Sequence, residues 1–317
     1  MKLKILALAF ILLSANIYSQ TEMNRKIAVT IDDLPLQRIG HFDNRNLHRI
    51  TDKLLGKIKY QNIPAVGFVN EDKLQIDGRN DGSKIDLLKK WLAAGLDLGN
   101  HTFSHRSANS IPVEEYKTDI LNGERILRDI ITESGKKLNY FRHPFLQTGR
   151  SLEVKNEIEK FLADHNYIIA PVTIDNSEWI FGGAYDKAID SSDTEMMKRI
   201  GEEYIKYMKL KVQYWESQSV SLLGRNINHI LLIHANTLNA DYFDKLCGML
   251  RSAGYEFIAL DEALKDEAYK SDDKFTGAGG ISWLHRWAVT QKKERSFFGS
   301  EPLTPELILN YAGIKSE

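Results

Sequence analysis

Residues 26–33 read Lys-Ile-Ala-Val-Thr-Ile-Asp-Asp, a short run rich in β-branched residues that ends in two carboxylates. Such a run reads as a strand. The pattern repeats outward from it. Leu47, Ile50, Leu54 and Ile58 fall at helical spacing. A second strand is read at Pro64–Asn70, and a helix at Ser83–Ala94 closed by Gly95. Leu96–His101 is the third strand, Val113–Ser134 a helix followed by Gly135, and Leu138–Arg142 the fourth strand. A helix over Leu152–Asn166 leads to the fifth strand, Tyr167–Asp175. A helical insertion over about Thr194–Gln218 precedes the sixth strand, His229–His234. A helix over Ala240–Ala253 and the seventh strand, Tyr255–Leu260, complete the set. Strands alternating with helices imply parallel pairing. Seven such units without an edge-strand signal predict an α/β fold with a closed or nearly closed barrel, an open sheet being the alternative.

The chain has 317 residues, 43 % hydrophobic and 27 % charged, with a formal charge of −1. That composition belongs to a folded globular protein and excludes a disordered chain or a multi-span membrane protein. No basic excess calls for a nucleic-acid partner. The single cysteine, Cys247, excludes an intrachain disulfide. The opening MKLKILALAFILLSANIYSQ has the build of a secretory signal peptide cut near Ser19. Its apolar run, Ile5–Leu13, is too short for the roughly 30 Å hydrocarbon core. The expectation is therefore a secreted or periplasmic protein with no stable membrane span after cleavage, an uncleaved anchor being the alternative. The domain reading is a signal peptide over 1–19, a barrel over 20–264 and a C-terminal helical extension over 265–317. Residues 265–274 (KDEAYKSDDK) read as a charged linker. Trp283, Trp287, Phe297 and Phe298 would fold the tail back onto the body.

Reactive groups of parallel α/β barrels sit at the C-terminal ends of strands. Asp32 and Asp33 end the first strand, His101 and His105 follow the third, Arg142 ends the fourth, and Asp175, Glu178 and Trp179 follow the fifth. His234 ends the sixth. Each has an ordinary structural reading taken singly: an exposed turn, a helix start, a satisfied core histidine, a surface ion pair. Jointly they would ring one mouth. Adjacent carboxylates after an apolar strand ask for a compensating cation, and neighbouring strand residues point to opposite faces, so the two would differ in role. His101 and His105, four apart, would stack on one face of a helical turn and reach one metal. With Asp33 they make a His₂Asp set that suits zinc.

Five ordered stretches together resemble the motifs of the polysaccharide deacetylase family, the NodB-type carbohydrate esterases. They are Thr30-Ile31-Asp32-Asp33, His101-Thr-Phe-Ser-His105, Arg142-His143-Pro144-Phe145, Asp175-Asn-Ser-Glu178-Trp179 and Leu231-Leu-Ile-His234. The resemblance spans about Lys26 to Leu264. It implies a distorted (β/α)₇ barrel that hydrolyses N- or O-acetyl groups on a sugar. It also implies that Asp33, His101 and His105 bind a divalent metal, zinc first. Asp32 would then be the general base, held by Arg142. His234 would be the general acid, oriented by Glu178. Trp179 would line the groove, and the Phe145 backbone N–H would help bind the oxyanion. The expected partner is an acetylated polysaccharide or oligosaccharide; the insertion and the tail keep the resemblance from fixing which one, and the order of expectation is N-acetylglucosamine units of peptidoglycan or chitin-like chains first, acetylated xylan or another acetylated polysaccharide second. Hydrolysis of another C–N bond, and a carbohydrate-binding protein without catalysis, are the rival readings. Three departures stand out: Ile31 replaces the family's usual Phe, Glu178 replaces Asp, and Ala235 stands where the family often has Asp.

Overall fold

The computed structural model describes residues 25–317, so the expected signal peptide lies outside the described residues. Seven strands form one parallel sheet: Lys26–Leu34 (β1), Val66–Val69 (β2), Asp97–Asn100 (β3), Tyr140–Phe141 (β4), Ile168–Ile169 (β5), His229–His234 (β6) and Glu256–Phe257 (β7). Their order is β5-β4-β3-β2-β1-β6, with β7 pairing the first residues of β1. The two outer strands then meet. The chain leaving β5 bridges Ile174 to Leu231 of β6, with Thr173 N donating to the Ile230 carbonyl at 3.0 Å and Leu232 N to the Ile174 carbonyl at 3.3 Å. That seam closes a barrel. The staves are unequal, since β4, β5 and β7 have two residues each, so the barrel is distorted.

Strand β1 is buried along almost its whole length, as a parallel strand covered on both faces should be. Its side chains alternate. Ile27, Val29 and Ile31 join the layer between sheet and helices, while Ala28 joins Val66, Phe68, Ala170 and Ile230 in the second core cluster. Thr30 and Asp32 share the parity of Ala28. Small residues low on the strand thus leave room for polar ones above.

The helices differ from the sequence reading chiefly in three places. The expected helix Val113–Ser134 is two, Val113–Asn122 (α3) and Arg125–Glu133 (α4), broken at Gly123. A Cβ on Gly123 would lie 2.5 Å from Phe103 N and Thr102 C, so a neighbouring loop occupies the space a side chain would need. A helix missing from the sequence reading covers Glu178–Asp190 (α6). Its buried Ile180, Phe181, Ala184, Tyr185 and Ala188 keep helical spacing, but Gly182-Gly183 interrupt the pattern. The insertion helix (α7) runs Thr194–Leu223, past the expected end at Gln218, and stops at left-handed Gly224. The added turn, Ser-Val-Ser-Leu-Leu, buries Ser219 and Leu222, and Ser219 Oγ donates to the Arg225 carbonyl.

Residues 265–274 are not a linker. Asp266 pairs with Arg225 and caps the following turn at Ala268 N. Asp273 meets the buried Lys155 and Arg286, each at 2.8 Å. Asp273 is thus a counterion to two buried cations, which composition alone cannot distinguish from a solvated acid. Helix Trp283–Thr290 (α10) then lies over the seam, with Trp283 N donating to the Val172 carbonyl at 2.8 Å and Ser282 Oγ to the Thr173 carbonyl at 3.0 Å.

The seam has a pH-sensitive member. His229, fully buried, faces Thr173 Oγ1 at 3.2 Å and Asn226 Oδ1 at 2.8 Å. Burial pushes its pKa from 6.5 down to about 3. The folded protein therefore keeps it neutral while the unfolded chain takes up a proton. Its stabilising contribution is complete above pH 6.5 and falls progressively as pH drops toward 3. Urea midpoints measured from pH 7 to 4 should fall, and His229→Gln should show a shallower fall together with a loss of roughly 1–3 kcal/mol at pH 7. Parallel pH profiles for the two proteins would refute this assignment.

Candidate active site

Asp32 and Asp33 part at the end of β1. Asp32 points into the barrel mouth and is 3 % exposed. Its Oδ2 lies 3.7 Å from His101 Nε2, and its Oδ1 lies 3.8 Å from Arg142 Nε with no hydrogen-bond partner. Burial raises its pKa to about 6 against the pull of Arg142 and His234. Asp33 adopts φ 69, which swings it to the other side of the strand end. Its Oδ1 faces Lys73 Nζ at 3.1 Å and His105 Nε2 at 3.6 Å. Burial opposes its charge, but Lys73 and His105 outweigh it and hold the carboxyl well below the usual range.

His101 and His105 do not share a helical turn, as their spacing suggested. Thr102 and His105 both have positive φ, which no helix tolerates. The loop is tied down instead. Thr102 N donates to Asn100 Oδ1 at 2.7 Å, Phe103 N to the Asp119 carbonyl at 3.0 Å and Ser104 Oγ to Asp119 Oδ1 at 2.7 Å. Gly123 lets α3 end against it. The rings still converge, with centroids 4.8 Å apart. His101 Nδ1 lies 2.8 Å from the Arg142 carbonyl, an acceptor, so Nδ1 carries the proton and Nε2 keeps its lone pair toward the cleft. Burial holds both imidazoles below their ordinary pKa.

The ligand atoms of Asp33, His101 and His105 all lie within 4.8 Å of one another. One carboxylate oxygen and two imidazole nitrogens at that separation fit a divalent metal with an open coordination position. Arg142, fully buried, sits beneath them. It donates to Thr30 Oγ1 at 2.7 Å and stacks over Phe68 at 4.9 Å, while Nε and Nη1 have no hydrogen-bond partner and Nε points toward the open Oδ1 of Asp32.

His234 ends β6 directly beside Asp32, its register partner across the strand pair. The fully buried Glu178, first residue of α6, receives four hydrogen bonds. His234 N and Nδ1 reach its Oε2 at 3.1 and 2.8 Å, and Asn236 and Asn239 Nδ2 reach its Oε1 at 2.5 and 2.7 Å. Burial works against a charged His234, but the hydrogen bond and charge of Glu178 overcome it and lift the pKa to about 9. Asp32 and His234 are thus shifted so that one is a carboxylate and the other an imidazolium near neutrality. Phe145 (φ 56) stacks edge-on against His105 at 4.5 Å and is 55 % exposed, and Trp179 is 42 % exposed. Both border a cleft of about 410 Å³ shared with Asp32, Asp33, His101, His105 and His234. Sequence reasoning missed Asn236, Asn239 and Lys73. Asn236 was discoverable as a helix N-cap, since its Oδ1 accepts from Asn239 N at 2.9 Å. Lys73, in a polar turn, gave no signal.

Comparison with known proteins finds the polysaccharide deacetylase family over residues 19–161. A peptidoglycan-N-acetylglucosamine deacetylase of Bacillus cereus is 28 % identical over 138 residues, which cover 44 % of this chain and 44 % of that protein. The chain thus spans under half the length of that curated relative. Among solved structures, the peptidoglycan deacetylase PdaC of Bacillus subtilis is 20 % identical at TM-score 0.47, over 76 % of this chain and 92 % of the other. A carbohydrate esterase family 4 pseudoenzyme of Bacillus anthracis is 14 % identical at TM-score 0.47, over 76 % and 66 %. At those TM-scores the two structures add nothing to the fold read from the sheet. The family match ends before Glu178, Trp179 and His234.

The close fit at Gly123 makes the loop geometry testable. If Asp33, His101 and His105 hold a divalent cation, Gly123→Ala should displace Thr102–Phe103 and weaken its binding at least about tenfold in a chelator-competition titration with zinc as the probe, with a lowered melting temperature. His105→Ala should lose binding while staying folded. A Gly123→Ala protein that binds zinc like the wild type would remove the loop from the argument.

Proposed function

We propose that this chain, a relative of the polysaccharide deacetylases, is a secreted metal-dependent deacetylase acting on N-acetylglucosamine units of peptidoglycan or a chitin-like chain. One observation carries the reading. A His₂Asp donor set lies beside a buried carboxylate, Asp32, on one side and a carboxylate-bonded imidazole, His234, on the other, all in one cleft.

Asp33, His101 and His105 would hold the metal, zinc being the first candidate from the donor set. Bound there, a divalent cation would supply Lewis acidity toward the acetyl carbonyl and lower the pKa of a water. The protein groups do the rest. The Asp32 carboxylate, through Oδ2 on the His101 side of the cleft, accepts the proton of the attacking water, and its raised pKa makes it a stronger base than an ordinary aspartate. Arg142 keeps that carboxylate in place and compensates its charge. As the tetrahedral centre collapses, His234 delivers a proton to the departing amine, which leaves poorly as an anion. Glu178 holds the imidazole by Nδ1, so Nε2 faces the cleft with the proton to give. The Phe145 backbone N–H would help hold the oxyanion, and the exposed rings of Phe145 and Trp179 offer faces on which a sugar can stack. An acetylated xylan is the second substrate in line, since the same groups serve an ester.

The deciding experiment is acetate release by the mature protein from acetylated chitooligosaccharides, peptidoglycan and acetylxylan, with zinc, without it, and with a chelator. Release should require metal. Asp32→Asn should retain zinc and lose activity by on the order of 10²- to 10⁴-fold. Full activity in that variant would overturn the role given to Asp32, and glycan binding with neither metal nor acetate release would favour a binding protein.

A further inference from the structure

Helix α7 lies beyond the family match, and none of its residues is among those lining the cleft. Its buried face nevertheless reaches the acid side of the site three times. Tyr204 Oη donates to Asn239 Oδ1 at 2.8 Å, and the Nδ2 of the same Asn239 donates to Glu178 Oε1 at 2.7 Å and to the His234 carbonyl at 2.8 Å. Tyr207 Oη accepts from Ser177 N at 2.8 Å, in the residue before Glu178. Trp215 Nε1 donates to the Asp175 carbonyl at 2.7 Å. All three aromatic residues are buried. Positions 204, 207 and 215 follow the helical repeat, so one face presents all three polar ends.

Core packing alone would not aim these atoms. An aromatic ring packs equally well with its polar atom on another carbonyl, yet Tyr204 contacts Asn239, which donates to Glu178, and Tyr207 and Trp215 contact the backbone of the turn 175–177 that leads into Glu178. The Asn239 amide is the sharpest case. It can turn over, which would present its oxygen to the Glu178 carboxylate. The orientation that points its NH₂ at Glu178 leaves Oδ1 facing the buried side of α8 (Thr237–Ser252), and there the Tyr204 hydroxyl meets it. We propose that α7 is the positioning element for the proton donor: Tyr204, acting through Asn239, and Tyr207 and Trp215, acting on the turn 175–177, keep Glu178 Oε2 on His234 Nδ1. The kinetic part of this inference rests on the deacetylase reading, and the spectroscopic part does not.

The test compares wild type, Tyr204→Phe, Tyr207→Phe and the surface control Leu210→Ala, a residue 52 % exposed on the same helix. In wild type the His234 Nδ1 proton, held by Glu178, should give a downfield imidazole resonance in proton NMR, assigned through its loss in Glu178→Gln. Tyr204→Phe and Tyr207→Phe should shift or broaden it, and Leu210→Ala should not. With an N-acetylated chitooligosaccharide, kcat should fall roughly 10- to 100-fold in the two Phe variants at unchanged KM. With an aryl acetate, whose phenolate leaves without a proton, the variants should stay near wild type. An unchanged resonance in both variants, or an equal loss on both substrates, overturns the proposal. If the wild type releases acetate from neither substrate, the deacetylase reading fails, and the resonance by itself decides whether α7 positions the pair.

Discussion

Burying a carboxylate is costly unless hydrogen bonds replace its water, and Glu178 shows what that replacement demands of a fold. Its two oxygens receive four donors from β6 and the start of α8. Those donors hold only while α6 presents its first residue there. Gly182 of α6 has no room for a Cβ, because Asn236 Nδ2 would lie 2.7 Å from it. Strand, two helices and a glycine contact are thus tied to one carboxylate. Removing any partner leaves a charge in the core, which costs more than the pair contributes when complete.

The same network explains how the chain lives with its departures from the family's pattern. Glutamate is one methylene longer than aspartate, and that length is taken up by starting α6 at Glu178 itself, with Asn176 Oδ1 receiving Glu178 N at 3.0 Å. Ala235, where an acid is common, is buried at 1 % exposure, and its N–H bonds the Asp32 carbonyl at 3.0 Å. Its side chain belongs to the apolar core, so an added carboxyl there would be buried without a partner.

Much of the fold was legible because a parallel strand buried on both faces has to be a continuous apolar run, and the runs ending at Asp33, Asn70 and His234 are such runs. The site residues were legible for the same reason: polar groups at the end of an apolar strand have nowhere to go but the mouth. What escaped had physical causes. The break at Gly123 is imposed by a loop distant in sequence, which local propensity does not register. Helix α6 hid behind two glycines. The turn from His101 to His105 follows left-handed dihedrals that histidine spacing cannot reveal. Buried counterions such as Asp273 look, in composition, like any solvated acid. The Asn236–Asn239 clamp needs the tertiary structure, because an N-cap shows which residue caps but not what its amide donates to.

The two halves of the site come from different parts of the chain. The ligand set, Asp32 and Arg142 stand on β1, β3 and β4, inside the family match. His234 and Glu178 stand on β6 and α6, beyond it. The halves meet across the parallel pair β1 and β6, where Asp32 and His234 are direct register partners. Neighbouring strands run about 4.8 Å apart, so backbone hydrogen bonds rather than side-chain adjustment set the spacing of Asp32 and His234. A slip of one residue would turn one of the two away from the cleft. Register here is held from both sides: Ala235 N on the Asp32 carbonyl at one end of the pair, and the seam of Thr173 and Ile174 against the far edge of β6. The tail covering that seam through Trp283 and Ser282 therefore bears on the geometry of the candidate site at a distance. It stabilises the edge that keeps β6 in step with β1.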